Sequence, residues 1–128
     1  MIPWAVRCPG TRFDLFHLGL PNVREAVVIG KNFANVSLNL CWCYVMSEHM
    51  TLSTLDEIID LVPLNKVIAF GGDYRCVVQK AYGHLVMARQ TIARALARRV
   101  EEGRFGEERA IEIAKMWFCD TPARIYNV

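Results

Sequence analysis

No stretch of the chain approaches the ~20 consecutive apolar residues of a membrane span, because Arg, Lys, Asp or Glu interrupts every run. The N-terminus also lacks the basic start and long apolar segment of a signal peptide. A soluble, cytoplasmic protein with no membrane partner is expected. Net charge is nearly absent: fifteen Lys and Arg against thirteen Asp and Glu leave +2, too balanced a sum to make nucleic acid an expected partner. There is no CxxC pair, and the five cysteines sit mostly in apolar segments. Reduced, buried thiols fit that usage better than disulfides or a four-ligand zinc site. GxGxxG, Walker and GxSxG motifs are missing. So are internal repeats, low-complexity segments and Gly/Ser linkers, and nothing marks a second domain. What is there is apolar: 53% of 128 residues are hydrophobic, ample for one core and incompatible with a disordered tail.

Along the chain, Arg12 to His17 is an aromatic-rich run opened by Pro9-Gly10 and closed by Gly19 and Pro21, which predicts a first strand. Asn22 caps a helix running from Val23 to Lys31. Val36 to Cys43 alternates apolar and polar residues, predicting a second strand whose two faces meet different surroundings. Ser53 or Thr54 caps a helix over Leu55 to Leu61, ended by Pro63. Lys66 to Phe70 predicts a third strand, stopping at Gly71-Gly72-Asp73. Helices from about Gly83 to Glu102 and from Glu107 to Phe118 close the chain. Alternation of strand and helix calls for crossovers and a parallel sheet, with the three strands adjacent in chain order.

In such architecture reactive groups gather at the carboxyl ends of the strands, where loops vary while the sheet fixes their origin. Asp73, directly after an apolar strand, stands at that mouth; it either ligates a metal and handles a water's proton or caps the following turn. His17 ends the first strand and is a ligand or a hydrogen-bonded structural residue. Arg75 is placed to hold a substrate carboxylate by paired bonds. His84, read as opening the long helix near the same rim, is either an anion contact or part of the helix start. Cys41 and Cys43 are assigned to packing, with Cys76 and Cys119. His49 is read as a solvated or lid residue in the loop after the second strand. Arg89, Arg94, Arg98 and Arg99 form a solvated face opposite the stripe Leu85, Ile92, Leu96 and Val100.

Taken together, Arg12-Phe13-Asp14-Leu15-Phe16-His17-Leu18-Gly19, Asn35-Val36-Ser37-Leu38-Asn39-Leu40-Cys41-Trp42 and Lys66-Val67-Ile68-Ala69-Phe70-Gly71-Gly72-Asp73-Tyr74 resemble the last three strands of the metal-dependent amidohydrolase superfamily. The nearest branch is the amidohydrolase-related one, close to uronate isomerases and decarboxylases. Thr121-Pro122-Ala123-Arg124-Ile125-Tyr126 looks like the closing segment of the same proteins. The resemblance implies that residues 1–128 are one partial domain, strands six to eight and the C-terminal helices of a (β/α)8 TIM barrel. Asp73 would be metal ligand and acid/base, and His17 a ligand or substrate-polarising residue. Tyr74, Arg75 and His84 would be substrate contacts, and the cofactor a divalent metal, zinc in the first instance. The activity implied is that of a hydrolase acting on a small carbonyl or carboxylate substrate, or a decarboxylase or isomerase. A whole barrel takes ~250 residues, and the family's first-strand His-x-His pair, bridging fourth-strand ligand and fifth-strand His have no counterpart here. A C-terminal fragment, inactive alone and completed by an N-terminal half, is therefore expected. A catalytically silent half-barrel forming a homo-oligomer through exposed sheet edges is the alternative, and a small open α/β binding module a third.

Overall fold

The computed structural model describes residues 2–75 and 78–128. Three short strands, β1 (Phe13–Leu15), β2 (Val36–Asn39) and β3 (Val67–Ile68), form one parallel sheet in the order β1-β2-β3. Leu15 stands opposite Leu38, and Leu38 opposite Val67. Helices α1 (Ile2–Arg7), α2 (Val23–Asn32), α3 (Cys43–Met46), α4 (Glu48–Leu61), α5 (Val78–Glu101), α6 (Glu107–Lys115) and α7 (Thr121–Tyr126) surround it. The parallel α/β expectation, with adjacent strands, is met. Among the described residues no helix is long and apolar enough to cross a membrane.

The core forms because a parallel sheet has to be covered on both faces. Leu38, Leu40, Val67 and Ala69 join Ala26 and Val27 of α2, Leu55 and Ile58 of α4, and Ala88, Ile92 and Leu96 of α5 in one apolar cluster. Gly30 lets α2 lie directly on β2, since a Cβ there would come within 2.8 Å of Leu38 Cγ. On the other face, reached by strand alternation, the Asn39 amide donates to Asp14 at 2.8 Å, and Tyr126 of α7 donates to the same carboxylate oxygen. Burial pushes the Asp14 carboxyl above its ordinary value, against the lowering effect of those two bonds.

Every strand is shorter than its apolar run, and each for a local reason. β1 stops before His17 because His17 and Leu18 take left-handed backbone, φ 58° and 51°, and Phe16–Gly19 forms a 3-10 turn. β2 ends at Asn39, whose side-chain oxygen accepts the Cys41 N–H at 2.9 Å in place of a ladder partner. β3 ends at Ile68 because Ala69 N–H is donated at 2.9 Å to the carbonyl of Trp117. That contact comes from a π-helical turn, Met116–Asp120, which replaces the end of the helix expected from Glu107 to Phe118. Trp117 is fully buried, and its indole donates to Leu64 O at 2.8 Å. The edge of β3 is thus covered, whereas β1 pairs only with β2 among the described strands.

Two helix starts also differ from expectation. α4 begins at Glu48, capped by Ser47, whose hydroxyl accepts Met50 N–H at 3.2 Å. Ser53 and Thr54 lie inside the helix, with their hydroxyls donating to Met50 O, a bond that accommodates such residues away from a cap. His49 is consequently helical rather than in a loop. α5 is already formed at Val78, so His84 lies within it and does not open it. Of the arginines of α5, Arg89, Arg94 and Arg98 are exposed as expected, with Arg98 pairing with Asp56 at 3.3 Å and Arg94 with Glu48, whereas Arg99 is 11% exposed and pairs with Asp60 and Glu102 at 2.9 Å.

Candidate functional site

The three strand exits build one rim, and each turns there through left-handed backbone: His17 (φ 58°), Trp42 (φ 64°) and Asp73 (φ 47°). For a residue with a Cβ this conformation costs roughly 1–2 kcal/mol, and strain held by the surrounding structure is characteristic of positions where geometry matters. The turns bring His17 Nε2 to 3.8 Å from Asp73 Oδ2, with the two side chains 36% and 58% exposed. A histidine and a carboxylate 56 positions apart in the chain thereby face each other. They line a cleft of about 350 Å³ with Leu20, Trp42 and Met46.

The imidazole is held in one orientation. His17 Nδ1 lies 2.8 Å from the carbonyl oxygen of Cys41, and a carbonyl only accepts, so Nδ1 carries the proton. In the neutral ring the lone pair is then on Nε2, the atom aimed at Asp73. A backbone carbonyl fixing one nitrogen while the other points into a cleft is the usual environment of a metal-binding histidine. Asp73 is positioned less directly. Trp42 donates from its indole nitrogen to Gly72 O at 3.0 Å, and its ring lies against Tyr74 with centroids 5.5 Å apart. Gly71 passes so close to the second exit that a Cβ there would meet Cys41 Cβ at 3.0 Å.

His17 and Asp73 fit a divalent cation as two of its ligands. Tetrahedral zinc with ligands at ~2.0–2.2 Å separates two donor atoms by about 3.3–3.5 Å, a few tenths of an ångström less than the spacing here. Among the described residues there is no group of three or more His, Cys, Asp or Glu able to hold a metal, so those residues offer no third ligand. The neighbouring thiols of Cys41 and Cys43 are buried. Burial, then the charges of Asp73 and Asp14, push Cys41 up to about 11; burial, then Cys41, pushes Cys43 up to about 12. Both are packed in the interior, as their apolar surroundings suggested. Cys119 is exposed rather than packed, and Cys76 lies outside the described residues.

Of the remaining candidates, Tyr74 adjoins the cleft through Trp42, and Arg75 is exposed beside it. His84 is not in the cleft. It lies behind Tyr74, 2% exposed, edged by the rings of Phe70, Tyr44 and Tyr74 with centroids 5.1, 5.7 and 5.8 Å away. Neither of its ring nitrogens has a hydrogen-bond partner among the described residues. Sequence reasoning missed Trp42 as the clamp on the third exit; its place at the end of an apolar run was the available signal. Met46 and Leu20 carried none.

Comparison with protein families, with curated proteins and with solved structures finds no match to this chain.

Proposed function

We propose that this chain contributes the carboxyl-end rim of a metal-dependent, amidohydrolase-like (β/α)8 enzyme, with His17 and Asp73 as two ligands of one divalent cation. The observation that carries the reading is the 3.8 Å approach of Nε2 and Oδ2, with the far side of the imidazole fixed by Cys41 O. A cation held there would supply Lewis-acid polarisation of a carbonyl and acidify a water. Asp73 is the general base and acid: its carboxylate takes the proton of the attacking water and returns it to the leaving group. His17, its Nδ1 proton held by Cys41 O, offers Nε2 to that cation. Arg75 pairs with a substrate carboxylate, and Tyr74 lines its path. The free edge of β1 is where preceding strands of a barrel would pair, bringing the missing ligands, and barrel closure would also need the first strand to displace the Trp117 contact on β3.

Titration calorimetry with zinc tests this. The chain alone binds one zinc weakly, because one imidazole and one carboxylate do not make a closed site. His17→Ala combined with Asp73→Asn abolishes that binding. Both side chains are substantially exposed, so the variant keeps the fold, as its far-UV circular dichroism will show. Equal zinc binding by the variant and the parent chain refutes the assignment.

A further inference from the structure

Two cavities larger than the rim cleft, about 580 and 430 Å³, lie along the face shared by α5 and α6 and have Ala93, Ile111 and Ala114 in common. The pattern beneath them is regular. On α5, Arg89, Ala93, Ala97 and Glu101 follow at four-residue steps; on α6, Glu107, Ile111 and Lys115 do the same. Residues four apart lie on one face of a helix, so each helix presents a row with an apolar centre and charged ends. The alanines leave a trough, and beside it Ile111 protrudes, 64% exposed. Arg89 and Lys115 line one cavity, and Glu101 and Glu107 the other, so the face is basic at one end and acidic at the opposite end.

The charges of this face belong to those with no intrachain ion pair among the described residues. Arg94, Arg98, Arg99, Arg104 and Arg109 each have an acidic partner within the chain. Arg89, Glu101, Glu107 and Lys115 have no ion-pair partner among the described residues.

We propose that this face binds a second copy of the chain about a two-fold axis at Ile111. An isologous interface has to be complementary to itself, and this face is. A two-fold axis perpendicular to α6 at Ile111 exchanges positions 107 and 115, four residues to either side. Each Glu107 then meets the partner's Lys115. On α5 the same operation centres between Ala93 and Ala97 and carries each Arg89 toward the partner's Glu101. The two Ile111 side chains meet across the axis, and the Ala93 and Ala97 surfaces of the two copies face each other beside them. The α5 row spans about 18 Å and the α6 row about 12 Å. With two helix widths of about 10 Å each, the face offers roughly 350 Å² per copy, below the range of stable specific interfaces, so the dimer is weak and reversible. This surface shares no lining residue with the His17–Asp73 cleft, and its test is independent of metal binding.

Sedimentation equilibrium of the whole chain over a range of concentrations provides that test. The parent chain shows a monomer–dimer equilibrium that weakens with added salt. Glu107→Lys alone and Lys115→Glu alone each place like charges across both α6 contacts and weaken dimerisation about tenfold or more. Mixing the two variants in equal amounts restores association, because in the mixed dimer both contacts again pair opposite signs. Ile111→Glu, at an exposed position where folding is not at stake, abolishes the dimer. Far-UV circular dichroism establishes that each variant is folded. A parent chain that is monomeric throughout overturns the proposal. So does a mixture no more associated than either variant alone, which is the outcome if the groove takes a different polypeptide.

Discussion

Replacing His84 with Phe is expected to stabilise the protein, and by an amount that depends on pH. The imidazole is 2% exposed, and neither nitrogen finds a partner among the described residues. A neutral ring carries one donor and one acceptor, and each buried polar group left unpaired costs about 1–3 kcal/mol. Phe keeps a flat ring for Phe70, Tyr44 and Tyr74 to edge against while removing both orphans. Its extra volume costs back about 1–3 kcal/mol, so the expected net gain is about 1–3 kcal/mol at pH 7.5.

Burial also lowers the pKa of His84, which sets the sign of the pH effect. The unfolded imidazole takes up its proton near pH 6.5, and the folded one only at lower pH. Between those values the unfolded chain binds more protons. Stability therefore falls on acidification through about pH 6.5, with a limiting slope of about 1.4 kcal/mol per pH unit, and stops falling once the folded-state pKa is passed. Urea unfolding of the parent chain and His84→Phe at pH 7.5 and 5.5 measures both effects, with His17 and His49 cancelling in the difference. The variant's advantage should widen at pH 5.5. A variant less stable than the parent at pH 7.5, or a difference that stays constant with pH, refutes the reasoning.

Gly30→Ala brings a Cβ to 2.8 Å from Leu38 Cγ; despite the better helix propensity of Ala, it should cost about 1–3 kcal/mol. Most of that loss should vanish in a Leu38→Ala background, as a double-mutant cycle by urea unfolding will report. Trp42→Phe removes the bond to Gly72 O and should cost about 1 kcal/mol; it should also speed amide hydrogen exchange at Gly72 and Asp73, and unchanged exchange there would remove Trp42 as the clamp. Arg99 is 11% exposed and serves Asp60 and Glu102, with a further bond to Asp56 O. Arg99→Ala should cost about 2–4 kcal/mol, less than loss of a fully buried pair because the acids are partly solvated, and the cost should shrink in high salt.

The fold class was legible where local and global signals agree. The apolar runs beginning near Phe13, Val36 and Val67 are bounded by turn residues and separated by helices, and parallel pairing in chain order follows from that spacing. Strand ends were not legible. An apolar run continues as strand only while its N–H and C=O groups find ladder partners, and here the Asn39 side chain and the Trp117 carbonyl take those groups instead. The start of α4 was hidden because Ser53 and Thr54 look like caps; their bonds to Met50 O depend on the helix already being there.

At the candidate site, chemistry was readable and surroundings were not. His17 and Asp73 follow apolar strands, and in a parallel sheet that suffices to put both at one rim. That they converge to 3.8 Å depends on left-handed turns at each exit, which no residue type at His17, Trp42 or Asp73 announces. His84 shows the limit most plainly. Its sequence position suggested a solvent-facing helix start, but three aromatic rings from separate segments close over it. The order of the elements, the apolar stripes and the two titratable strand ends are local properties, carried by composition and periodicity along the chain. Burial and the partner of each polar atom are contacts between distant segments, decided only when packing in three dimensions selects which segment covers which.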